Sequence, residues 1–256
     1  MREQSAGDVD YERRGNGYAA VRRADPRFAA YVHRSLGDAR TVVNVGAGAG
    51  SYEPTDRHVV AVEPSATMRA QRPRHLAPAL DATAEALPYD DGAFDAAMAT
   101  ITIHQWPDLA RGLGELRRVS RGPVVVLTFD GDALARFWLA AYCPEVITAE
   151  QRRYPTMDRL AGLLGGRVTV ETVPIPADCT DGFAEAFYAR PEQLLEPAVR
   201  RAQSAWAFVD ADTEARFARR LGDDLASGAW DERHGHLRTQ PTYDGALRLV
   251  TALPPA

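Results

Sequence analysis

A β-branched run, Thr41-Val42-Val43-Asn44-Val45, stops at Gly46-Ala47-Gly48-Ala49-Gly50. Residues of the first kind favour a pleated, extended backbone and the glycines end it, so the segment predicts a buried strand feeding a tight turn. Glycine permits left-handed backbone and leaves room for a nucleotide-like ligand to come close to the main chain. A turn that merely reverses the chain would have the same composition, so the surroundings of the loop must decide its use.

The next apolar run, His58-Val59-Val60-Ala61-Val62, ends at Glu63-Pro64, where proline interrupts strand hydrogen bonding. Glu63 is thus placed at the carboxyl edge of a neighbouring strand. A carboxylate there can accept two charge-assisted hydrogen bonds from ribose hydroxyls, or it can stand as an acid at the start of a helix that Ser65 caps. Phe94 to Thr100 and Val124 to Phe129 read as two further strands, the second launched by Arg121-Gly122-Pro123. Between them Leu109, Leu113, Leu116 and Val119 recur at helical spacing. Nearly continuous apolar strands alternating with helices imply an α/β fold with a mostly parallel sheet, covered on both faces by right-handed crossovers.

Tyr11 to Leu36 carries apolar residues at helical intervals and predicts helices over the carboxyl edge of the sheet. Ala133 to Ala141 and Asp158 to Leu164 read as helical, and Val168 to Val173 alternates like a strand. Phe183 to Ser227 reads as strongly helical, and a last strand is expected at Ala246 to Thr251. The expected organisation is a helical cover at 1–40, a ligand-binding core at 41–130, the remainder of the core at 131–182, a helical insertion acting as a lid at 183–238 and a final core strand at 239–256.

With 256 residues, 45% hydrophobic and 25% charged, the chain can bury a large core. A net charge of -5 argues against nucleic acid as a partner and favours a small molecule. Cys143 and Cys179 form no Cys-x-x-Cys pair, which fits a reducing compartment. Met1 to Asp10 is polar and no long apolar run occurs, so the expectation is a soluble, cytoplasmic protein without a membrane partner. His234-Gly235-His236 has the spacing of a metal pair but no supporting ligands, and no metal is expected. A Gly-x-Ser-x-Gly nucleophile elbow is absent.

Both dinucleotides and other nucleoside cofactors use a glycine loop followed by an acid. A pyrophosphate would rest on the positive end of the helix after the loop. Here that helix is expected to begin Ser51-Tyr52-Glu53, with Asp56 close behind, and two carboxylates would repel a dianion. A sulfonium and ammonium cofactor tolerates them, and the glycine spacing departs from Gly-x-Gly-x-x-Gly.

Val42 to Gly50 resembles the first motif of class I S-adenosylmethionine-dependent methyltransferases. Ala84-Glu85-Ala86-Leu87-Pro88-Tyr89 followed by Asp91-Gly92-Ala93-Phe94-Asp95 is similar to a stretch of their small-molecule type 11 branch, and Gly114 to Val119 with the strand ending at Phe129 completes the likeness. The resemblance implies a Rossmann-like doubly wound sheet of seven strands and S-adenosylmethionine as cofactor. It further implies that Gly46 and Gly48 meet the methionine part, Glu63 the ribose, Pro64 or Met68 the adenine face, and Thr83, Ala84 and Glu85 the adenine edge, with Asn44, Ala47, Gly50 and Thr100 completing the site. Asn44 stands where the family more often has an acid, Thr83 where many relatives have Asp, and the stretch from the loop to Glu63 is about one helical turn short.

Methyl transfer is an in-line displacement for which positioning supplies much of the catalysis. His104, just past the third motif strand, is the candidate general base, and Tyr11, Tyr18 and Trp106 are candidates for the acceptor pocket. Arg22 and Arg23 are candidates for the cofactor carboxylate. Asp178 to Gly182 reads as a capped turn or, as the second reading, an element of the pocket. Two alternatives stay open: a protein that binds S-adenosylmethionine without methylating, as a sensor or cyclisation catalyst, and an NAD(P)-dependent oxidoreductase.

Overall fold

The structure is a computed structural model and describes residues 21–255. Five parallel strands, β1 (Thr41–Val45), β2 (His58–Val62), β3 (Ala79–Leu80), β4 (Ala96–Thr100) and β5 (Val124–Phe129), lie side by side in the order β3-β2-β1-β4-β5. Beyond β5 come β9 (Leu247–Leu253), antiparallel to both its neighbours, and the edge strand β6 (Arg167–Thr172), which completes a seven-stranded sheet. A separate ladder joins β7 (Ile175–Pro176) to β8 (Thr242–Tyr243).

The period of two along each strand sorts side chains between two cores. Val42, Ala96, Met98, Val125 and Leu127 face one core, while Val43, Val45, Ala97, Ala99, Val124 and Val126 face the other. All of β4 and β5 is buried, which explains their unbroken apolar sequence. The β6 strand is mostly exposed, as an edge strand with one open flank must be.

The first core takes α1 (Pro26–Ser35), which starts at the cap Asp25 with Pro26 in its first turn and buries Phe28 and Val32. The connection from β2 carries α2 (Ala66–Ala70), capped by the Ser65 hydroxyl, which accepts from the Met68 amide at 3.2 Å. The second core takes α3 (Leu109–Val119), which crosses from β4 to β5 and buries Leu113, Leu116 and Val119. After β5 the chain forms α4 (Leu139–Tyr142), α5 (Pro144–Arg153) and α6 (Met157–Leu164) before β6.

Between β7 and β8 the expected continuous helicity is broken. Short 3-10 turns at Ala184–Phe187, Pro191–Leu195 and Ser204–Phe208 surround α7 (Pro197–Arg201), and the longer α8 (Ala211–Ser227) is followed by α9 (Ala229–His234). Pro191 and Pro197 each begin a new element, because proline has no amide to continue the preceding one. The helix expected after the glycine loop is absent as well: residues between Gly46 and His58 are turns and bends. Pro54 cannot donate a helix bond, and Tyr52 takes φ +65°, outside the helical region. Tyr11 and Tyr18 lie outside the described residues. No described helix is long and apolar enough to cross a membrane.

Candidate active site

The carboxyl ends of β1 and β2 are joined through main-chain bonds. The amides of Gly46 and Ala47 donate to the Val62 carbonyl at 2.9 and 3.0 Å, and that of Gly50 to the Ala47 carbonyl at 2.8 Å. Gly46, Gly48 and Gly50 all have positive φ. A Cβ on Gly46 would collide with the Thr102 side chain and one on Gly50 with Leu76, whereas one on Gly48 would lie 3.3 Å from Met68 Cε. The glycines are therefore required twice, by conformation and by close packing.

Glu63 is buried, and its oxygens accept from the Gly48 amide at 2.8 Å and the Ser65 amide at 2.9 Å. Burial pushes its carboxyl above the usual value, and the two amides, with Arg69 and Arg72, pull against that. Each oxygen keeps a further lone pair for a hydroxyl donor.

Asn44 lies wholly buried in β1, and its Nδ2 donates to Glu53 Oε1 at 2.9 Å. The acid missing at position 44 is thus replaced in space by Glu53, nine residues on. Arg72 Nη2 donates to the other Glu53 oxygen at 2.9 Å, in a pair whose side chains are 4% and 1% exposed. A pyrophosphate is consequently disfavoured for a different reason from the expected one. Glu53 is neutralised by Arg72, Asp56 is paired with Arg57, and the loop is followed by no helix to hold a dianion.

The loop end also leaves two buried atoms without a hydrogen-bond partner, the acceptor Asn44 Oδ1 and the donor Arg72 Nη1. A zwitterionic amino-acid end offers the complementary ammonium and carboxylate. With the glycine cradle and Glu63, the chemistry of this donor set fits S-adenosylmethionine. Thr100 and Ala84 are buried, Thr83 is exposed, and Glu85 accepts from the Asp108 amide at 3.3 Å. Trp106 packs over Gly112, whose absent Cβ would approach its ring to 2.5 Å, and stands outside the cavity described next.

Beside the loop, at the carboxyl ends of β4 and β5, a cavity encloses about 620 Å³ of empty space, mouth included. Ile101, His104, Phe129, Tyr154 and Phe183 form much of its wall. Ile101 holds φ +51°, an outlier for a β-branched side chain, immediately after β4. The His104 ring lies 4.5 Å from that of Tyr154, which meets Phe129 edge-on at 5.4 Å, and Phe129 meets Phe183 at 5.1 Å. Burial, then Arg153 and Arg22, hold the His104 imidazole well below its usual pKa, so it is neutral near pH 7.

Arg22 also lines the cavity, and its Nε donates to Asp181 at 2.5 Å, while Arg23 is exposed. Asp181 accepts in addition from the Tyr52 hydroxyl at 2.5 Å, so the Asp178 to Gly182 turn clasps both the cover and the end of the glycine loop. Asp25 extends the clasp by accepting from the Thr180 amide at 3.1 Å. His234 packs on Trp230 at 5.5 Å, and among the described residues no group of potential metal ligands gathers. Arg72, Glu185 and Gln203 were not distinguishable as site residues in sequence, since each is an isolated polar residue in a segment without a motif, and Glu53 was read only as a charge that repels a dianion.

Comparison with known proteins agrees with this geometry. Residues 43–126 match the family model described as "Methyltransferase domain". No curated protein matches the chain by sequence. A solved structure of a provisionally assigned methyltransferase from an antibiotic biosynthesis pathway of Anabaena variabilis is similar at 28% identity and a TM-score of 0.84, covering 91% of this chain and 98% of its own. A SAM-dependent methyltransferase of Thermotoga maritima, provisionally a histamine N-methyltransferase, shares the fold at 18% identity and a TM-score of 0.55, covering 95% of this chain and 97% of its own. The [4+2]-cyclase SpnF does so at 17% identity and a TM-score of 0.57, covering 96% of this chain and 94% of its own. Residues 43–126 are thus similar to a methyltransferase domain, and the chain around them has the seven-stranded fold seen in class I S-adenosylmethionine-dependent methyltransferases.

Proposed function

We propose that this protein transfers a methyl group from S-adenosylmethionine to a small molecule held in the cavity beside the glycine loop. The observation that carries this reading is the junction of the two sites: Thr102 presses against Gly46, while its neighbours Ile101 and His104 wall the cavity. When bound, S-adenosylmethionine supplies a sulfonium-activated methyl carbon, on which an acceptor electron pair forms the new bond as the carbon–sulfur bond breaks and its electrons stay on sulfur.

The chain's own residues do the rest. Gly46, Gly48 and Glu63 hold the nucleoside end against main chain, and Asn44 and Arg72 offer an acceptor and a donor to the amino-acid end. The aromatic wall excludes water from the acceptor. His104, kept neutral by burial, has a ring nitrogen lone pair to take the acceptor's proton. The acceptor class, the absence of nucleic-acid or membrane partners and a cytoplasmic location belong to this proposal.

Incubation with methyl-labelled S-adenosylmethionine and fractionated metabolite extracts tests it. Label is expected in a low-mass product, and His104→Gln should slow its formation by roughly 10²- to 10⁴-fold with S-adenosylhomocysteine affinity unchanged. Tight S-adenosylhomocysteine binding with no label transferred from any pool would overturn methyl transfer in favour of a protein that holds the cofactor for another purpose.

A further inference from the structure

The wall that the β7 to β8 segment gives the cavity contains two polar groups not used above. Glu185 is 1% exposed, and both its oxygens rely on one donor, the Ala246 amide at 2.8 and 3.1 Å. It fits there because position 245 is glycine: a Cβ would stand 2.6 Å from Oε1. An ionised carboxylate has about four acceptor positions, so most of this one's capacity is unmet.

Gln203, 5% exposed, is its complement. Its Oε1 accepts from Trp206 Nε1 at 3.3 Å, which fixes the orientation of the amide, and Nε2 is left buried without a hydrogen-bond partner. Both residues line the cavity together with Phe129, Phe137 and Phe183. Buried polar atoms are nearly always satisfied, so a donor without a partner and a carboxylate with spare acceptor capacity on one wall point to a ligand that supplies both.

We propose that Glu185 and Gln203 are the recognition pair for the methyl acceptor, an aromatic-sized molecule whose hydroxyl or amine donates to Glu185 and whose oxygen accepts from Gln203. The inference rests on the cavity being the acceptor site. It excludes carboxylate and phosphate acceptors, because Glu185 and Glu150 share the wall and Arg22 is already engaged by Asp181. Burial lifts the Glu185 carboxyl to about 7, and a donor from the ligand would favour its ionised form.

The test is calorimetric titration of the full chain, saturated with S-adenosylhomocysteine, with isomeric hydroxynaphthaldehydes, the matched methoxynaphthaldehydes, naphthol and naphthalene. The best hydroxynaphthaldehyde is expected to bind about tenfold or more tightly than its methoxy partner, the scale of one hydrogen bond to a charged group. Glu185→Gln should erase that preference, and Gln203→Ala should erase the advantage of hydroxynaphthaldehyde over naphthol, both with S-adenosylhomocysteine affinity unchanged.

Equal binding of hydroxy and methoxy probes by the native chain, binding of neither, or a preference that survives Glu185→Gln overturns the pair. The native comparison stands even if a variant fails to fold. A native chain that binds no S-adenosylhomocysteine overturns the proposed function at an earlier and separate step.

Discussion

From Gly46 to Glu63 the site is shaped by main-chain atoms and the carboxylates of Glu53 and Glu63 within a single short stretch of chain, whereas the cavity beside it is walled by side chains drawn from as far apart as Arg22 and Ser204. The first region depends on conformation: positive φ at three glycines and amides turned toward the Val62 carbonyl and Glu63. The second depends on which large residues happen to meet after folding. A backbone-built surface suits a ligand that is the same in every turnover, and a side-chain surface suits one that differs from protein to protein.

If the two regions are separable, each should respond to its own substitutions. The largest effect is expected on the cavity side, in the pH dependence of stability. Burial raises the Glu185 carboxyl to about 7 from an ordinary 4.5, against the opposing pull of the Ala246 amide, Arg248 and Arg136, with Glu150 adding to the rise. Between those values the folded chain holds a proton that the unfolded chain has released. This contribution to stability is full below about 4.5 and is lost as pH climbs through 7. Denaturant unfolding of Glu185→Gln at pH 5 and pH 8 should show that slope flattened by on the order of 3 kcal/mol relative to the native chain. An unchanged slope would mean that this wall is not electrostatically burdened.

A smaller effect is expected at the loop. Glu63→Ala should weaken S-adenosylhomocysteine binding by about 1.5–3 kcal/mol, the range for hydrogen bonds to a charged group, while aromatic probes still enter the cavity. Loss of both bindings together would break the distinction between the regions. The smallest expected effect separates conformation from crowding. Gly37 and Gly46 both have positive φ, but a Cβ at Gly37 meets nothing within 4 Å while one at Gly46 meets Thr102. Gly37→Ala should cost about 1–2 kcal/mol in denaturant unfolding. Gly46→Ala should cost about 1–3 kcal/mol more. Equal losses would show that Thr102 yields freely and that the junction between the regions is soft.

The same contrast governs how much was legible in the amino-acid sequence. Gly46, Gly48, Gly50 and Glu63 could be found because a left-handed backbone and a strand ending in an acid each leave a compositional mark. The apolar runs of β4 and β5 were equally plain, being buried on both faces. Pro54 and the positive φ of Tyr52 remove the helix after the loop, but the handover of the acid from position 44 to Glu53 depends on Arg72, a partner with no local signature. The reversal of β9 relative to β5 leaves no trace in its residues, and the two-residue strands β3, β7 and β8 are too short to show a period. Gln203 and Glu185 looked like any polar residues in a helical stretch until Trp206 and Gly245 gave them fixed places.

The β7 and β8 ladder sets Pro176 opposite Thr242, so the chain departs toward the cavity and returns at nearly the same point. The excursion between them supplies Phe183, Ala184, Glu185, Gln203 and Ser204 to the cavity wall. On the proposed function, exchanging that excursion would alter one part of the acceptor wall while the stretch from Gly46 to Glu63 that faces the cofactor stays the same.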